Sequence, residues 1–383
     1  MSRESVELGE LIFPAKVIRC GRDEYPVFSM TMHDGIVEQK TRFKKALASK
    51  DQSNYKVVKP GQLVVGFPID EGVLYIQQLG KKGIMSPAYN IWDVDQEKVY
   101  PGFLELALHS PQSMSWYKAK LRGTTARRRN IPAKDLIKLR ICLPEKSVQS
   151  RIVDTFQQIK EELSFFASLN EKLDDLVKSR FVEMFGYIGE GTFIYPPKRI
   201  EDLCLEIIGG GTPSMKHPEY YGGSIPFIKS GDVKSQVVTN GNLSITKEGL
   251  KRSSAKLAPM HSILVVTRSG ILKHTLPIAI AGCSVAINQD LKALVLNESV
   301  IPEYIQWSLL VSEQLILSKV RATTADNIET SLLKNFMVPV PPLQLQHEFA
   351  DFAAQVDKLK FDFDFLVSFS IPSICLFCLK LDP

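Results

Sequence analysis

The sequence predicts an α+β fold in which two similar, mixed α/β globules are separated and braced by long coiled-coil helices. Three observations support this prediction. A long amphipathic stripe lies in the middle of the chain, between about Ser147 and Gly186. A block of sequence that precedes and enters this stripe recurs near the C-terminus. On both sides of the stripe, short apolar runs broken by Gly, Pro, Asn and Ser are followed by helix-like segments in the same order.

The central stretch has the apolar spacing of one helix face in a coiled coil. Apolar residues recur at alternating intervals of four and three positions, the pattern of a seam that packs on a partner helix. The predicted seam consists of Ile152, Phe156, Ile159, Leu163, Phe166, Asn170, Leu173 and Val177. An Asn in a seam commonly fixes the register or number of helices at some cost in stability. A polar residue tolerated at a loose position explains Asn170 equally well.

An internal repeat divides the chain into two copies of one unit. Ile131–Ile152 aligns without gaps with Ile328–Phe349, and this alignment pairs Gln149 with Gln346. Recurrence of this kind is typical of duplicated architectures. We therefore expect a globule and a helical rod to alternate twice, with the first rod linking the globules.

The two copies share one order of segments. Short apolar runs such as Leu63–Val65 and Leu264–Val266, which we align with each other, predict strands. A helix that begins at a proline follows, at Pro101 in one copy and Pro302 in the other. A strand and a long helix complete each copy. The predicted boundaries are residues 1–146 for the first globule, 147–186 for the central helix, 187–343 for the second globule and 344–383 for a C-terminal helix that becomes atypical after about residue 364.

Composition places the chain among folded proteins of mildly basic charge. It has 383 residues, of which 44% are hydrophobic and 23% charged, and its formal net charge is +5. These values permit nucleic-acid binding without requiring it. Met1–Glu10 lacks the apolar core of a signal peptide, and the six cysteines have no framework spacing, so a reducing cytoplasm fits best. Phe365–Leu379 is uncharged but short and contains Pro372, so we expect no membrane association.

Several motifs fall in the order found in a known family. The second copy contains G-G-G-T-P-S at Gly209–Ser214, Y-Y-G-G-S-I-P-F-I-K-S-G-D-V at Tyr220–Val233 and V-V-T-R-S-G at Val265–Gly270. Both copies carry a Thr-Thr dipeptide, and the second continues to P-V-P-P-L-Q-L-Q at Pro339–Gln346. Together with the duplication, these motifs make the sequence resemble the specificity subunit of type I restriction-modification systems, over residues 1 to about 362.

This resemblance implies a function that spacing alone does not establish. In that family each globule is a target-recognition domain that reads one half of a split sequence in double-stranded DNA. The paired helices dock two methyltransferase (modification) subunits, and a restriction subunit joins the complex. The resemblance therefore implies no cofactor and no metal in this chain, because S-adenosylmethionine belongs to the methyltransferase partner. Groove segments on one side of a duplex recur about every 34 Å, so the rod would set the spacing of the two readers.

Candidate DNA contacts are loop residues of the types that bind phosphates or base edges. They are Arg42, Lys44, Lys45, Lys81 and Lys82 in the first copy, and Lys216, Tyr220, Tyr221, Lys229, Ser230, Arg268, Ser269 and Lys273 in the second. For any one of them, an ordinary solvated or packed residue is the competing explanation. Gly209–Gly211 lacks the Lys-Ser/Thr that follows in a phosphate-binding loop. It predicts a turn whose backbone approaches either DNA or a neighbouring segment.

The sequence contains no recognisable catalytic motif. It lacks an N-P-P-F/Y methylation motif, the nucleotide-binding G-x-x-x-x-G-K-S/T and the metal-binding H-E-x-x-H, and Cys375 and Cys378 form a lone C-x-x-C. We therefore expect a non-catalytic recognition subunit. Two other classes stay open: a stand-alone two-lobed DNA-binding protein, and a coiled-coil scaffold whose globules bind protein. Salt-dependent binding to random DNA would argue against the scaffold.

Overall fold

The structure is a computed structural model of the chain. It describes residues 4–32, 34–42, 51–121, 129–320 and 327–360, without the side chains of Arg42 and Glu190. The chain forms two compact units, the first ending at Phe165 and the second beginning at Phe166. This division falls inside the long central helix, so the predicted boundaries between globules and rods stay a prediction.

The first unit consists of short strands, short helices and the beginning of a long helix. Its strands are β1 (Glu4–Glu7), β2 (Ile12–Pro14), β3 (Phe28–Met30), β4 (Ile36–Glu38), β5 (Lys56–Val58), β6 (Leu63–Val65), β7 (Leu74–Ile76), β8 (Gly83–Met85), β9 (Asn90–Val94) and β10 (Arg140–Leu143). Its helices are α1 (Gln39–Arg42), α2 (Pro101–Leu108), α3 (Pro111–Lys120), α4 (Ala133–Leu136) and the first part of α5 (Lys146–Phe185). One antiparallel sheet has the order β2-β9-β6-β7, while β5 pairs with β8 and β1 with β10.

The second unit begins within α5 and contains longer strands. Its strands are β11 (Gly186–Tyr187), β12 (Thr192–Phe193), β13 (Pro197–Arg199), β14 (Cys204–Gly209), β15 (Tyr221–Ile228), β16 (Val237–Val238), β17 (Leu243–Ile245), β18 (Lys256–Ala258), β19 (Ile263–Val266), β20 (Ile278–Ala281), β21 (Val285–Ile287), β22 (Leu291–Leu296) and β23 (Met337–Pro339). Its further helices are α6 (Lys247–Lys251), α7 (Pro302–Val311), α8 (Glu313–Ser318), α9 (Thr330–Lys334) and α10 (residues 343–360). Its two main sheets have the orders β14-β22-β19-β20-β16 and β17-β15-β21-β18.

The two units have the same strand order, and this confirms the internal repeat. The sheet β2-β9-β6-β7 corresponds to β14-β22-β19-β20, to which the second unit adds β16 at the edge. The antiparallel pairs β5–β8 and β1–β10 recur as β18–β21 and β13–β23. The helices α2, α3 and α4 recur as α7, α8 and α9 at the same place in the chain order. The predicted α+β class, with two mixed units and a long helix, is confirmed.

One detail of the predicted repeat is wrong by one residue. Gly61 and His261 each lie two residues before the start of β6 and β19, and both have a left-handed backbone, with φ of 82° and 70°. Leu63 therefore corresponds to Ile263 rather than to Leu264. The sequence alignment placed identical Leu-Val-Val letters opposite each other, whereas the preceding turn fixes the register. A shift of one residue would exchange the two faces of the strand.

The core of the second unit contains an aromatic cluster that joins α5 to α10. Phe181 and Phe185 of α5 are fully buried, and Phe349 of α10 packs edge-on against both, with ring centroids 5.3 and 5.7 Å apart. Tyr304 of α7 stacks on Phe181 at 5.6 Å and donates its hydroxyl proton to the Pro339 carbonyl over 2.7 Å. Aromatic pairs of this geometry add stability beyond the burial of their area. The cluster therefore fixes α10 on α5.

Within the second unit, α5 and α10 run antiparallel to each other. Arg180 of α5 pairs with Glu348 at 3.7 Å. Asp174, further towards the start of α5, pairs with Lys360 near the described end of α10. Residue numbers therefore fall along one helix as they rise along the other.

Burial along the predicted α5 seam is uneven. Ile152 and Val177 are buried, Phe156 and Leu173 pack partly buried against the cores of the first and second unit, and Ile159, Phe166 and Asn170 are half-buried. Leu163 is 37% exposed, so the prediction that it lies in a closed seam is wrong. Periodicity identifies the apolar face of a helix, but burial also requires a partner at the same height. Among the described residues, the core contacts of α5 lie towards its two ends.

Candidate nucleic-acid interface

In the second unit, the ends of three strands are tied together by backbone hydrogen bonds. The N–H of Gly211, just after β14, donates to the carbonyl of Ile287 at the end of β21 over 3.1 Å. The N–H of Asn288, the next residue, donates to the carbonyl of Ile228 at the end of β15 over 3.1 Å. Loops that leave adjacent strand ends on a rigid scaffold are where binding residues concentrate.

Two glycines allow the segment after β14 to come this close. A Cβ on Gly210 would lie 2.2 Å from the carbonyl oxygen of Ile287, and a Cβ on Gly211 would lie 2.5 Å from that of Ser254. Both contacts are with backbone that cannot move aside. Of the two predicted explanations for the Gly-rich stretch, DNA or a neighbouring segment, the structure supports the neighbouring segment.

The turn after β21 carries a polar network that also holds the end of β19. The backbone N–H of Arg268 donates to the Asp290 carbonyl over 3.2 Å, and its Nε donates to Oδ1 of Asp290 over 2.8 Å. Nδ2 of Asn288 donates to the other carboxylate oxygen over 2.9 Å. Beside them, Oγ1 of Thr212 donates to Oε1 of Gln289 over 2.6 Å. Polar side chains from the ends of several strands thus lie next to one another at this edge.

We call this surface the strand-end cluster. It consists of Thr212, Lys229, Arg268, Asn288, Gln289 and Asp290. Thr212, Arg268 and Gln289 are exposed, whereas Asn288 is buried beneath them. The cluster combines two cations with amide side chains, the residue types that contact phosphates and base edges.

Most residues predicted to contact DNA in the second unit lie at or near this edge. Lys229 and Ser230 directly follow β15, and Arg268 and Ser269 follow Thr267, the first residue after β19. Lys216 is exposed beyond the Gly-rich turn, and Lys273 is exposed at the end of the short 3-10 helix Gly270–Lys273. The structure therefore brings Lys229, Ser230, Arg268 and Ser269 together.

The two tyrosines that were predicted to contact DNA make contacts within the second unit. Tyr220 is only 8% exposed and stacks on His217 with ring centroids 4.8 Å apart, so the structure does not support a DNA contact for Tyr220. The hydroxyl of Tyr221 donates to the carbonyl of Pro213 over 2.6 Å, and burial raises the pKa of this phenol. Tyr221 thus anchors the turn that carries Thr212. Aromatic side chains beside a Gly-rich turn pack into the domain because their area is costly to expose.

The first unit has an equivalent edge with different side chains. The register places Phe67 at the position of Thr267, and residues 86–88 (Ser, Pro, Ala) at those of Asn288–Asp290. Phe67 packs edge-on against Tyr89, with ring centroids 5.6 Å apart. The two units therefore present unlike chemistry on the same backbone.

The predicted lysines of the first unit lie elsewhere or outside the described residues. Lys81 and Lys82 precede β8, whereas the edge just described follows it, so these lysines lie at the opposite end of that strand. Lys81 is paired with Glu38 at 2.6 Å. Lys44, Lys45 and the side chain of Arg42 lie outside the described residues.

Sequence reasoning missed Thr212, Asn288, Gln289 and Asp290. A signal for three of them was present, because N-Q-D at Asn288–Asp290 is a polar turn between two apolar runs. A turn of this kind between strands predicts a surface loop, but its nearness to Arg268 depends on how β19 and β21 are placed in the fold.

The described part of the chain contains neither a cluster of metal-ligating side chains nor a membrane-spanning helix. Within it, no group of three or more His, Cys, Asp and Glu side chains could hold a metal ion. No helix in the same residues is both long enough and apolar enough to cross a bilayer.

Comparison with known sequences identifies relatives. Residues 195–364 match the family described as the type I restriction modification DNA specificity domain. Over 228 residues the chain is 30% identical to a type I restriction enzyme specificity subunit from Escherichia coli, covering 56% of this chain and 54% of that protein. Over 167 residues it is 28% identical to the MjaIX specificity subunit from Methanocaldococcus jannaschii, covering 42% and 38%. The chain thus spans about half, or less, of the length of these curated relatives.

Two solved structures share the fold. A protein from a study of the assembly and conformational transition of the type I R-M system has a TM-score of 0.65 and 17% identity, covering 99% of this chain and 96% of that one. The type I restriction-modification S subunit from M. genitalium has a TM-score of 0.51 and 14% identity, covering 100% and 95%. At these identities the likeness concerns the fold alone.

The duplicated α+β fold and the long helix place the chain in the same fold class as these two solved structures. Residues 195–364 match the DNA specificity domain of type I systems, and the chain is similar to type I specificity subunits over about half of its length, so the predicted resemblance is confirmed.

Proposed function

We propose that this chain is the sequence-recognition subunit of a type I restriction-modification complex, and that each unit reads one half of a bipartite site in double-stranded DNA. The observation that carries this proposal is the pair of equivalent edges, which share strand order and register but differ in side chains. A repeated module with a single task would keep the same chemistry at both edges. Two readers of unlike half-sites require different side chains at the same place.

The side chains at each edge suit contact with a DNA groove. The strand-end cluster of the second unit offers Lys229 and Arg268 as cations and Gln289 as an exposed amide. Arginine and glutamine form bidentate hydrogen bonds with guanine and adenine edges. The first unit instead offers Phe67, and an aromatic side chain makes apolar contact with the methyl group of thymine.

The helices supply a surface for the protein partners. We propose that α5 and α10 dock two methyltransferase subunits and that a restriction subunit joins this complex. Phe165 and Leu176 of α5 are large apolar side chains that are 64% and 48% exposed, and exposed apolar surface of this kind marks contact sites. In this proposal S-adenosylmethionine and all catalysis belong to the partners, and the chain acts in the cytoplasm.

Selection from a pool of random-sequence duplexes tests the proposal. The full-length chain, alone and with the methyltransferase subunits, is used to enrich bound DNA, which is then sequenced. We expect a consensus of two short half-sites separated by unspecified base pairs, with affinity that falls steeply as salt rises. One continuous consensus would contradict the proposal that each unit reads its own half-site. Binding that ignores salt and sequence would instead favour the protein-binding scaffold, and full specificity without the methyltransferase would favour the stand-alone DNA-binding protein.

A further inference from the structure

Arg268 is an exposed arginine whose guanidinium group is held from one side. Its side chain is 48% exposed, and both Nε and one Nη lie 2.8 Å from the same oxygen, Oδ1 of Asp290. A guanidinium has five N–H donors in a planar fork. One carboxylate oxygen cannot use all five, so among the contacts of the described residues donors remain for an acceptor outside the protein.

Asp290 is itself fixed from below by a buried residue. Nδ2 of Asn288 donates to Oδ2 of Asp290 over 2.9 Å, and the backbone N–H of Asp290 donates to Oδ1 of Asn288 over 3.2 Å. Asn288 is 4% exposed. Buried Asn288 thus holds the Asp290 carboxylate in place, and this carboxylate in turn holds the exposed side chain of Arg268. Holding a long side chain in place before binding lowers the entropy cost of binding.

The carboxylate also changes which part of DNA the arginine prefers. A phosphate is attracted by net positive charge, and the negative charge of Asp290 offsets that of Arg268 at 2.8 Å. Hydrogen bonds to a base edge depend instead on the direction of the donors, which the carboxylate fixes. In the major groove, guanine presents two acceptors, O6 and N7, that match an arginine fork.

From these contacts we infer that Arg268 reads a guanine in the half-site of the second unit, and that Asp290 is the residue that positions it. The inference rests on the proposed function and adds to it the reading residue and the base. Register supports a role in specificity, because the position of Arg268 in the first unit is held by Pro68, which has no comparable donors.

The test is the same duplex selection with the full-length variants Arg268→Lys, Arg268→Ala and Asp290→Asn. Arg268→Lys keeps the charge but loses the planar fork, so discrimination at one G·C pair of one half-site should fall by roughly 5- to 150-fold. The salt dependence should stay the same because the charge is retained. Asp290→Asn should relax the same base pair to a smaller extent, and the other half-site should not change in any variant.

A matched control is available in the same unit. Arg199 is 47% exposed and forms two hydrogen bonds with Asp202, at 3.0 and 2.9 Å, but it lies on β13, in a different sheet from β19. Arg199→Ala should leave the consensus unchanged. Thermal unfolding is measured for every variant, and if Arg268→Ala is unfolded, Arg268→Lys decides.

Each remaining outcome contradicts the inference. An unchanged consensus for Arg268→Lys would overturn it, as would relaxation at an A·T pair. Arg268→Ala could instead weaken binding to all sequences alike and lower the slope of log affinity against log salt concentration by about one. Arg268 would then be a phosphate contact. If the unaltered chain selected no bipartite consensus, the proposed function would fail, and the inference would fail with it because it assigns Arg268 to one of the two half-sites.

Discussion

Gln149 and Gln346 make the same hydrogen bonds at the same place in the two units. Oε1 of Gln149 accepts from the backbone N–H of Tyr100 over 2.9 Å, and its Nε2 donates to the Pro144 carbonyl over 2.8 Å. Gln346 repeats both bonds with its own backbone partners, at 3.0 and 2.9 Å, and both amides are buried. Each glutamine thus ties the start of a short helix, α2 or α7, to the start of a long one, α5 or α10.

Replacing either glutamine by leucine should destabilise the unit that contains it. Gln149→Leu and Gln346→Leu keep the volume but leave buried backbone groups without partners, at a cost of about 1–3 kcal/mol for each group. Denaturant unfolding would measure the loss. Gln157→Leu is the control, because Gln157 is exposed on α5 and bonds only to Glu161 among the contacts described. Equal stability of all three variants would contradict this assignment.

The uneven burial of the α5 seam gives a paired prediction. Val177 is fully buried, so Val177→Asp places an uncompensated charge in the core and should cost about 3–5 kcal/mol. Leu163 is 37% exposed, and Leu163→Asp should change stability by no more than about 1 kcal/mol. Thermal unfolding of both variants checks this difference. A larger loss for Leu163→Asp would show that its side chain is covered in solution.

Glycine at position 211 should be required for the strand-end cluster. In Gly211→Ala the new Cβ would lie 2.5 Å from the Ser254 carbonyl, so the segment must shift, at a cost of about 1–3 kcal/mol. Because Thr212 follows directly, DNA binding should weaken as well. Gly231 is the control, since a Cβ there meets no heavy atom of the described residues within 4 Å. Equal DNA affinity and melting temperature for Gly211→Ala and Gly231→Ala would rule out the close approach.

The first unit should lose stability as pH rises through the acidic range. Burial raises the pKa of Glu105 above its usual 4.5, an effect that the Ile76 N–H, donating over 2.6 Å, and nearby His109 partly offset. The folded state therefore holds this proton more tightly than the unfolded state. The resulting stability is present below the usual pKa and is lost as pH rises through the raised one.

Glu105→Gln removes this titration and provides the measurement. Denaturation midpoints of the unaltered chain should fall relative to those of Glu105→Gln as pH increases from about 4.5 towards neutrality. Glu183→Gln, at a side chain that is 69% exposed, controls for the loss of a surface charge. A difference between the two chains that is constant across this pH range would contradict the prediction.

The repeat and the long helix could be predicted because each produces a regular pattern in the sequence itself. The alignment that paired Gln149 with Gln346 depends on identical residues at a constant spacing, and the α5 stripe depends on helical periodicity. The structure gives Lys146–Phe185 where the sequence predicted 147–186. By contrast, periodicity could not show that Leu163 is exposed, because burial depends on a partner from elsewhere in the chain.

The candidate site was only partly predictable for a related reason. Arg268 and Lys229 were identified because cations in turn-rich segments are recognisable one at a time. Asp290 and Gln289 were missed because they acquire their role only through contact with Arg268 and Thr212. Tyr220 looked suitable by residue type, yet it is packed against His217. A site formed where strand ends from distant parts of the sequence come together cannot be recognised from the spacing of residues along the chain.

Methylation mapping of a host genome, with and without this chain, tests the central claim most directly. If the chain selects the sites that a methyltransferase complex modifies, cells with the chain should carry one bipartite methylated motif, and that motif should disappear when the chain is deleted. Restoring the full-length chain should restore the same motif. Persistence of the motif in cells without the chain would contradict the account, as would a motif with no unspecified gap between two half-sites.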